Sequence, residues 1–371
     1  MSRTLSLPGG AVTLEAGPEH TAGGPWNRTA YAAAHVVCDP LADIDPWLDT
    51  AVGWDRTLAF REHLWSLGFG VAEAMDTAQR GMGLDWATSL ELIQRSTKMA
   101  RAEGHVIASG AGTDHLAAGA DVTIDDVIRA YEEQCEAVEA AGSRVILMAS
   151  RALTVAAKGP DDYARVYGHI LSNLQNPAIL HWLGEMFDPA LQGYWGSSAI
   201  IGDNAAKVDG IKISLLSEEK EIAMRRRLPD GVVMYTGDDF NYPALIEGDN
   251  EGFSHALLGI FDPIAPVAGR ALSQLAAGDT QGYHATFAPT VPLSRHIFRA
   301  PTRFYKTGVV FMAYLTGHQD HFTMVGGQES TRSTLHLAEI MRLANVAGLF
   351  VDPDFAAARA RSVFAARGVE I

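Results

Sequence analysis

Cysteine is scarce. The chain of 371 residues contains only Cys38 and Cys135, and their spacing suits neither a metal nor a redox motif, so the fold does not depend on disulfides and fits a reducing cytoplasm. Long apolar runs are also missing: the longest, such as Val309 to Leu315, fall well short of the roughly 18 residues that span a bilayer. Basic runs are absent apart from Met224 to Leu228, at the end of an expected helix where cations suit the dipole, and the formal charge is −15. Both features argue against nucleic acid and anionic membranes as partners. Nor does the N-terminus read as a signal peptide, because Pro8-Gly9-Gly10 interrupts its apolar stretch.

What remains is a globular composition, 47% apolar and 20% charged, sufficient for a sizeable core. The opening residues alternate apolar and polar side chains around Pro8-Gly9-Gly10, which predicts a β-hairpin within residues 1–28. From Thr29 onward, eight short apolar segments alternate with helical patterns; they begin near Thr29, Phe69, His105, Arg144, Pro177, Val208, Gly231 and Phe253. Helix starts are marked at Asp85, at Thr123 and at Ser217-Glu218-Glu219. Eight βα units predict a (β/α)8 TIM barrel over 29–262, a fold that takes about 250 residues. A doubly wound open sheet would want a Gly-rich turn after its first strand, and His35-Val36-Val37-Cys38-Asp39-Pro40 offers none. Residues 263–371 read as helices, expected to pack on the barrel as a C-terminal extension.

Lys212 interrupts the apolar run Val208 to Leu216. Side chains alternate across a strand, so Ile211, Ile213 and Leu215 share one face, while Gly210, Lys212 and Ser214 share the other. With the apolar face toward the helices, Lys212 points into the barrel. Burial favours the neutral amine, the nucleophile that attacks a carbonyl to form a Schiff base. A strand-end lysine paired with a carboxylate is the plainer alternative.

Gly210-Ile211-Lys212 on the sixth strand, with Thr236-Gly237-Asp238-Asp239 on the seventh, resembles the dihydrodipicolinate synthase and N-acetylneuraminate lyase superfamily, in the order and spacing of about Thr29 to Leu272. The resemblance implies a Schiff-base lyase or aldolase without a cofactor, in which Lys212 forms an imine with a 2-oxo acid or keto-sugar acid. It also implies a homo-oligomer, a dimer or tetramer. Two positions depart from the family pattern. Asp76-Thr77 stands where a Thr-Thr pair would hold the substrate carboxylate; Thr77 can still bind or relay a proton, whereas Asp76 repels an anion unless a cation such as Arg80 compensates. Ser150-Arg151-Ala152 replaces the proton-shuttling tyrosine, which leaves Arg151 as a candidate anion holder.

His181, near the end of the fifth strand, is the candidate proton shuttle, with a hydrogen-bonded core histidine as its alternative role. Ser109 in the Gly-containing loop after strand three, Asp238, Asp239 and His255 are further candidate substrate contacts; Glu73 also lies near a strand end. No metal is called for, although His318, Asp320 and His321, with Glu329 beyond, form a weak His-x-x-His pattern. Two other functions fit the same chain: a metal-dependent barrel lyase or isomerase acting on a sugar, and a barrel that binds a small molecule without turning it over.

Overall fold

The computed structural model describes residues 3–20, 23–193 and 198–371. Within these, the chain divides into two compact units: residues 28–34 with 70–259, and the described parts of 1–27 with 35–69 and 260–371.

The first unit holds a closed barrel of eight parallel strands: β3 (Ala30–Ala33), β4 (Gly70–Glu73), β5 (Ile107–Ala111), β6 (Arg144–Leu147), β7 (Ala178–Leu183), β8 (Val208–Ser214), β9 (Val233–Thr236) and β10 (His255–Leu258). Each strand pairs with the next in sequence, and β10 closes on β3. This is the TIM barrel expected from the sequence, and all eight apolar segments became strands. The interior is filled by Tyr31, Ala33, Ala72, Ala108, Ile146, Ile179, Tyr235 and Leu257. Small residues, Ala72 and Ala108 on β4 and β5, offset the two tyrosines on β3 and β9.

Two glycines make room for the two tyrosines. A Cβ at Gly70 would lie 2.7 Å from the Tyr31 ring, and one at Gly210 would lie 2.7 Å from the Tyr235 ring and 2.5 Å from the Val233 carbonyl oxygen. The two rings meet edge to face at 6.0 Å. The Tyr235 hydroxyl donates to Asp209 at 2.8 Å, and Asp209 also accepts from Arg144 at 2.8 Å.

Helix starts in this unit follow the expected signals. Asp85 caps Trp86–Glu103, Thr123 and Asp126 form a capping box on Ile124–Ala141, and Ser217 caps Glu218–Arg225. Such caps contribute about 1 kcal/mol each. The Glu218–Arg225 helix turns Glu221 inward, where the Thr236 hydroxyl (2.9 Å) and the Ser254 hydroxyl (2.7 Å) meet its two oxygens. Burial pushes this carboxyl up to about 8, against the lowering pull of those two hydrogen bonds.

The second unit contains the predicted hairpin, β1 (Thr4–Leu5) and β2 (Val12–Thr13), and the C-terminal helices. Tyr305–Leu315 is buried on every side and forms this unit's central helix. Arg342 binds the hairpin turn through the carbonyls of Pro8 (2.5 Å) and Gly10 (3.0 Å). The segment 35–69, expected to belong with 29–262, groups here instead. Its helix Trp54–Ser66 turns Phe60 against the rings of His35 (4.3 Å) and His318 (5.0 Å). Thr280–Phe287 and Thr290–Ile297 are two of the helices of the region 263–371 that reads as helical.

Two measurements check this packing. Gly210→Ala is expected to lower stability by about 1–3 kcal/mol through overpacking, whereas Gly168→Ala, with open space around its Cβ position on the Pro160–Asn173 helix, should hold or gain up to about 1 kcal/mol. Equal melting temperatures for Gly210→Ala and wild type would contradict the close contact. Glu221 has a folded-state pKa above its ordinary 4.5, so its stabilising effect is full below about pH 4.5 and is lost as pH rises through about 8. The melting temperature of Glu221→Gln should therefore fall less across that interval than that of wild type.

Candidate active site

Lys212 sits on β8 between His181 of β7 and Tyr235 of β9, paired in register with both. Alternation along β8 puts Gly210, Lys212 and Ser214 on the interior face, as predicted. Lys212 is 7% exposed, and its Nζ has no hydrogen-bond partner among the described residues. Gly237 lies against it: a Cβ there would stand 2.7 Å from Lys212 Cε and 2.3 Å from Ser214 Oγ. The glycine of Thr236-Gly237-Asp238-Asp239 is therefore what lets the lysine side chain pass. Burial lowers the Lys212 pKa, while the charges of Asp76 and Asp239 pull it back up without restoring the ordinary value.

His181 is 1% exposed. Its Nε2 is 3.3 Å from Ser214 Oγ, and its Nδ1 has no partner among the described residues. Burial, then the Lys212 charge, holds its pKa well below the usual histidine range, so it stands as a neutral imidazole. Ser214 was not chosen from the sequence as a site residue, although its parity with Lys212 marked it. Two strands of the barrel leave through non-glycine residues in the left-handed region, Ala74 (φ 51) after β4 and Leu216 (φ 50) after β8. Each such residue costs about 1–2 kcal/mol, and strain of this kind gathers at functional sites.

Over the ends of β4, β5 and β6 lies a pocket of about 200 Å³, whose charged walls are Asp76, Arg80, Asp114 and Arg151. Thr77 is buried on the short turn Asp76–Ala78. Arg80 is fully engaged: it forms a two-pronged pair with Asp114 (3.1 and 2.8 Å), donates to the Gly110 carbonyl at 2.6 Å and to Gln134, and lies 4.9 Å over Trp86. Burial would raise the Asp114 carboxyl, but Arg80 and Gln134 hold it below its ordinary value. Arg80 therefore does not neutralise Asp76. Arg151, at the start of the helix Arg151–Ala156, pairs through Nε with Asp188.

Several candidates fall elsewhere. Ser109 is the third residue of β5, on the face opposite Ala108, and its hydroxyl lies 2.8 Å from that of Ser143. Asp238 is spent on a turn, accepting from the Phe240 (2.8 Å) and Asn241 (3.0 Å) amides. His255 is the first residue of β10, at the N-terminal end of the barrel, and its Nδ1 accepts from the Thr29 amide at 2.9 Å. Glu73 shares a face of β4 with Val71, opposite Ala72. In the other unit, His318, Asp320 and His321 are not brought together. His318 packs on His63 at 4.3 Å, Asp320 pairs with Arg56 (2.5 Å) and Arg359 (3.3 Å), and His321 Nδ1 meets the Thr323 hydroxyl at 2.7 Å. Among the described residues, no group of three or more His, Cys, Asp or Glu side chains is arranged to hold a metal ion; the helix Tyr305–Leu315 ends before this segment, so the i, i+3 spacing does not share a helical face.

Solved structures share this fold. YagE, a prophage protein of the dihydrodipicolinic acid synthase family from E. coli K12, crystallised with pyruvate, superposes with a TM-score of 0.66 at 14% identity over 87% of this chain and 99% of its own. The chloride-inhibited dihydrodipicolinate synthase of Acinetobacter baumannii, also with pyruvate, gives 0.64 at 15% identity over 87% and 99%. The Oceanobacillus iheyensis dihydrodipicolinate synthase gives 0.64 at 13% identity over 85% and 96%. No curated protein matches the sequence. Residues 11–369 match the model of DUF993, described as a protein of unknown function, and the chain belongs to that family.

Proposed function

We propose that this protein is a Schiff-base lyase or aldolase, in which Lys212 captures the carbonyl of a 2-oxo acid or keto-sugar acid and a C–C bond is made or broken at the adjacent carbon. The observation that carries this reading is the buried amine of Lys212, without a hydrogen-bond partner among the described residues, set in register beside a neutral His181 on the interior of a barrel. The neutral amine adds to the carbonyl carbon, the oxygen leaves as water, and loss of a proton from the adjacent carbon gives the enamine. His181, with Ser214 3.3 Å away, supplies and removes these protons; Thr77 binds or relays, and Arg151 stands as a secondary anion contact. That two proteins sharing the fold were crystallised with pyruvate fits the reading. A homo-oligomer and a cytoplasmic location belong to the same proposal.

Borohydride reduction in the presence of a panel of 2-oxo acids and keto sugars should leave a stable adduct on the peptide that carries Lys212, absent in Lys212→Ala. No adduct with any carbonyl compound would overturn the assignment. Because the Lys212 pKa lies below the ordinary 10.5, trapping should rise with pH to a midpoint below that value. In Asp76→Asn, where one carboxylate no longer favours the ammonium, the midpoint should fall further. His181→Ala should cut kcat by about 10²–10⁴ while the adduct still forms, since the histidine moves protons and does not make the bond; an unchanged kcat would remove it from the mechanism.

A further inference from the structure

The unit that carries the C-terminal helices holds a cavity of its own, about 470 Å³, which the chemistry assigned to Lys212 does not use. All its described lining residues come from that unit. Much of the wall is apolar, through Pro266, Val267, Leu315, Leu349, Phe350 and Phe355, and the volume is in the range of small-molecule sites. The polar lining has a consistent sense. Glu19, Asp262 and Asp352 bring three carboxyl groups, His20, His63 and His318 bring three imidazoles, and no described lysine or arginine reaches the wall. Asp262 is buried: its Oδ2 accepts from the His35 amide (2.7 Å) and lies 2.8 Å from His35 Nδ1, while its Oδ1 has no partner among the described residues. One proton on His35 Nδ1 suffices for that bond, so Asp262 keeps its negative charge. The rings of His63 and His318 pack at 4.3 Å, both against Phe60, at 5.8 and 5.0 Å. None of the three lining imidazoles has a hydrogen-bond partner among the described residues. Burial favours the neutral form of each, pushing His318 down to about 3, with the charges of His63 and His35 adding to the effect. A neutral imidazole accepts through one ring nitrogen. The cavity therefore offers acceptors and negative charge with no cation to balance them.

We propose that this cavity is a second ligand site, which takes an organic ammonium carried on an apolar body, such as an arylalkylamine. An ammonium has three donors and no acceptor, which matches the imidazole nitrogens of the wall. Its charge is attracted by Asp262, a carboxylate in a wall of low polarity where Coulomb attraction is stronger than in water. The apolar body lies against Leu349, Phe350 and Pro266, whose surface it removes from water. An anion of the same shape would meet three carboxylates and no cation. The site is independent of the reading of Lys212, since none of its described residues belongs to the barrel unit.

The test is calorimetric titration of the full chain at neutral pH with three probes of one shape: phenethylamine, 2-phenylethanol and phenylacetate. Phenethylamine should bind with a Kd of about 1 mM or tighter, 2-phenylethanol at least about tenfold more weakly, and phenylacetate not measurably. Asp262→Asn should weaken phenethylamine by about tenfold and bring it level with the alcohol. Val351 lines the cavity and is 52% exposed, so Val351→Lys should leave the melting temperature unchanged while its own ammonium displaces the probe. Lys212→Ala should bind phenethylamine as wild type does, whatever becomes of the imine chemistry. The inference is overturned by absent phenethylamine binding, which would mean a cavity filled by water alone, and by phenylacetate or the alcohol binding as tightly as the amine. Binding that survives Val351→Lys, or that is lost in Lys212→Ala, overturns it as well. Should Asp262→Asn fail to fold without its bonds to His35, the ranking of the three probes and Val351→Lys decide.

Discussion

Burying an amine without a hydrogen-bonding partner is the constraint from which the rest of this site follows. An ammonium removed from water loses hydration that only charges or donor-acceptor contacts can replace. Lys212 has no hydrogen bond among the described residues, and Asp76 and Asp239 supply charge at a distance. Desolvation exceeds that attraction, so the pKa falls. The two carboxylates offset part of that fall. The same burial acts in the same sense on His181 and favours its neutral ring.

The surroundings hold this balance by geometry. Gly210 admits the Tyr235 ring, and Gly237 admits the Lys212 side chain itself. Arg80 is locked by Asp114, Gln134 and the Gly110 carbonyl, so it serves as a strut of the pocket wall and not as a counterion. The left-handed residues Ala74 and Leu216 sharpen the turns at which the chain leaves β4 and β8. An interior this committed leaves few groups free to answer a substrate.

Repetition made the barrel legible in the sequence: eight apolar segments with capped helices between them leave few alternatives. Alternation placed Lys212, and applied with equal rigour it would have named Ser214 and turned Ser109 away from the pore. His255 shows a different limit. It stands third in the run that begins at Phe253, so the chain enters β10 at the histidine, at the end of the strand opposite the loop that follows it. The pairs Arg80–Asp114 and Arg151–Asp188 lie 34 and 37 residues apart; no local pattern reports them, yet they determine which cations remain available. His318 and His321 misled for a related reason, since their spacing implies a shared face only if a helix carries them.

A barrel of this kind fixes where strand ends point but leaves the charge of the mouth open, because loop residues are exchanged without disturbing the ladder below. The fold shared with proteins crystallised with pyruvate therefore speaks to the barrel and not to the molecule this chain meets. At this mouth the arginines are neutralised by carboxylates of their own, and one aspartate remains uncommitted among the described residues. What such a mouth can offer depends on which partners its cations already have, and no count of cations alone would reveal it.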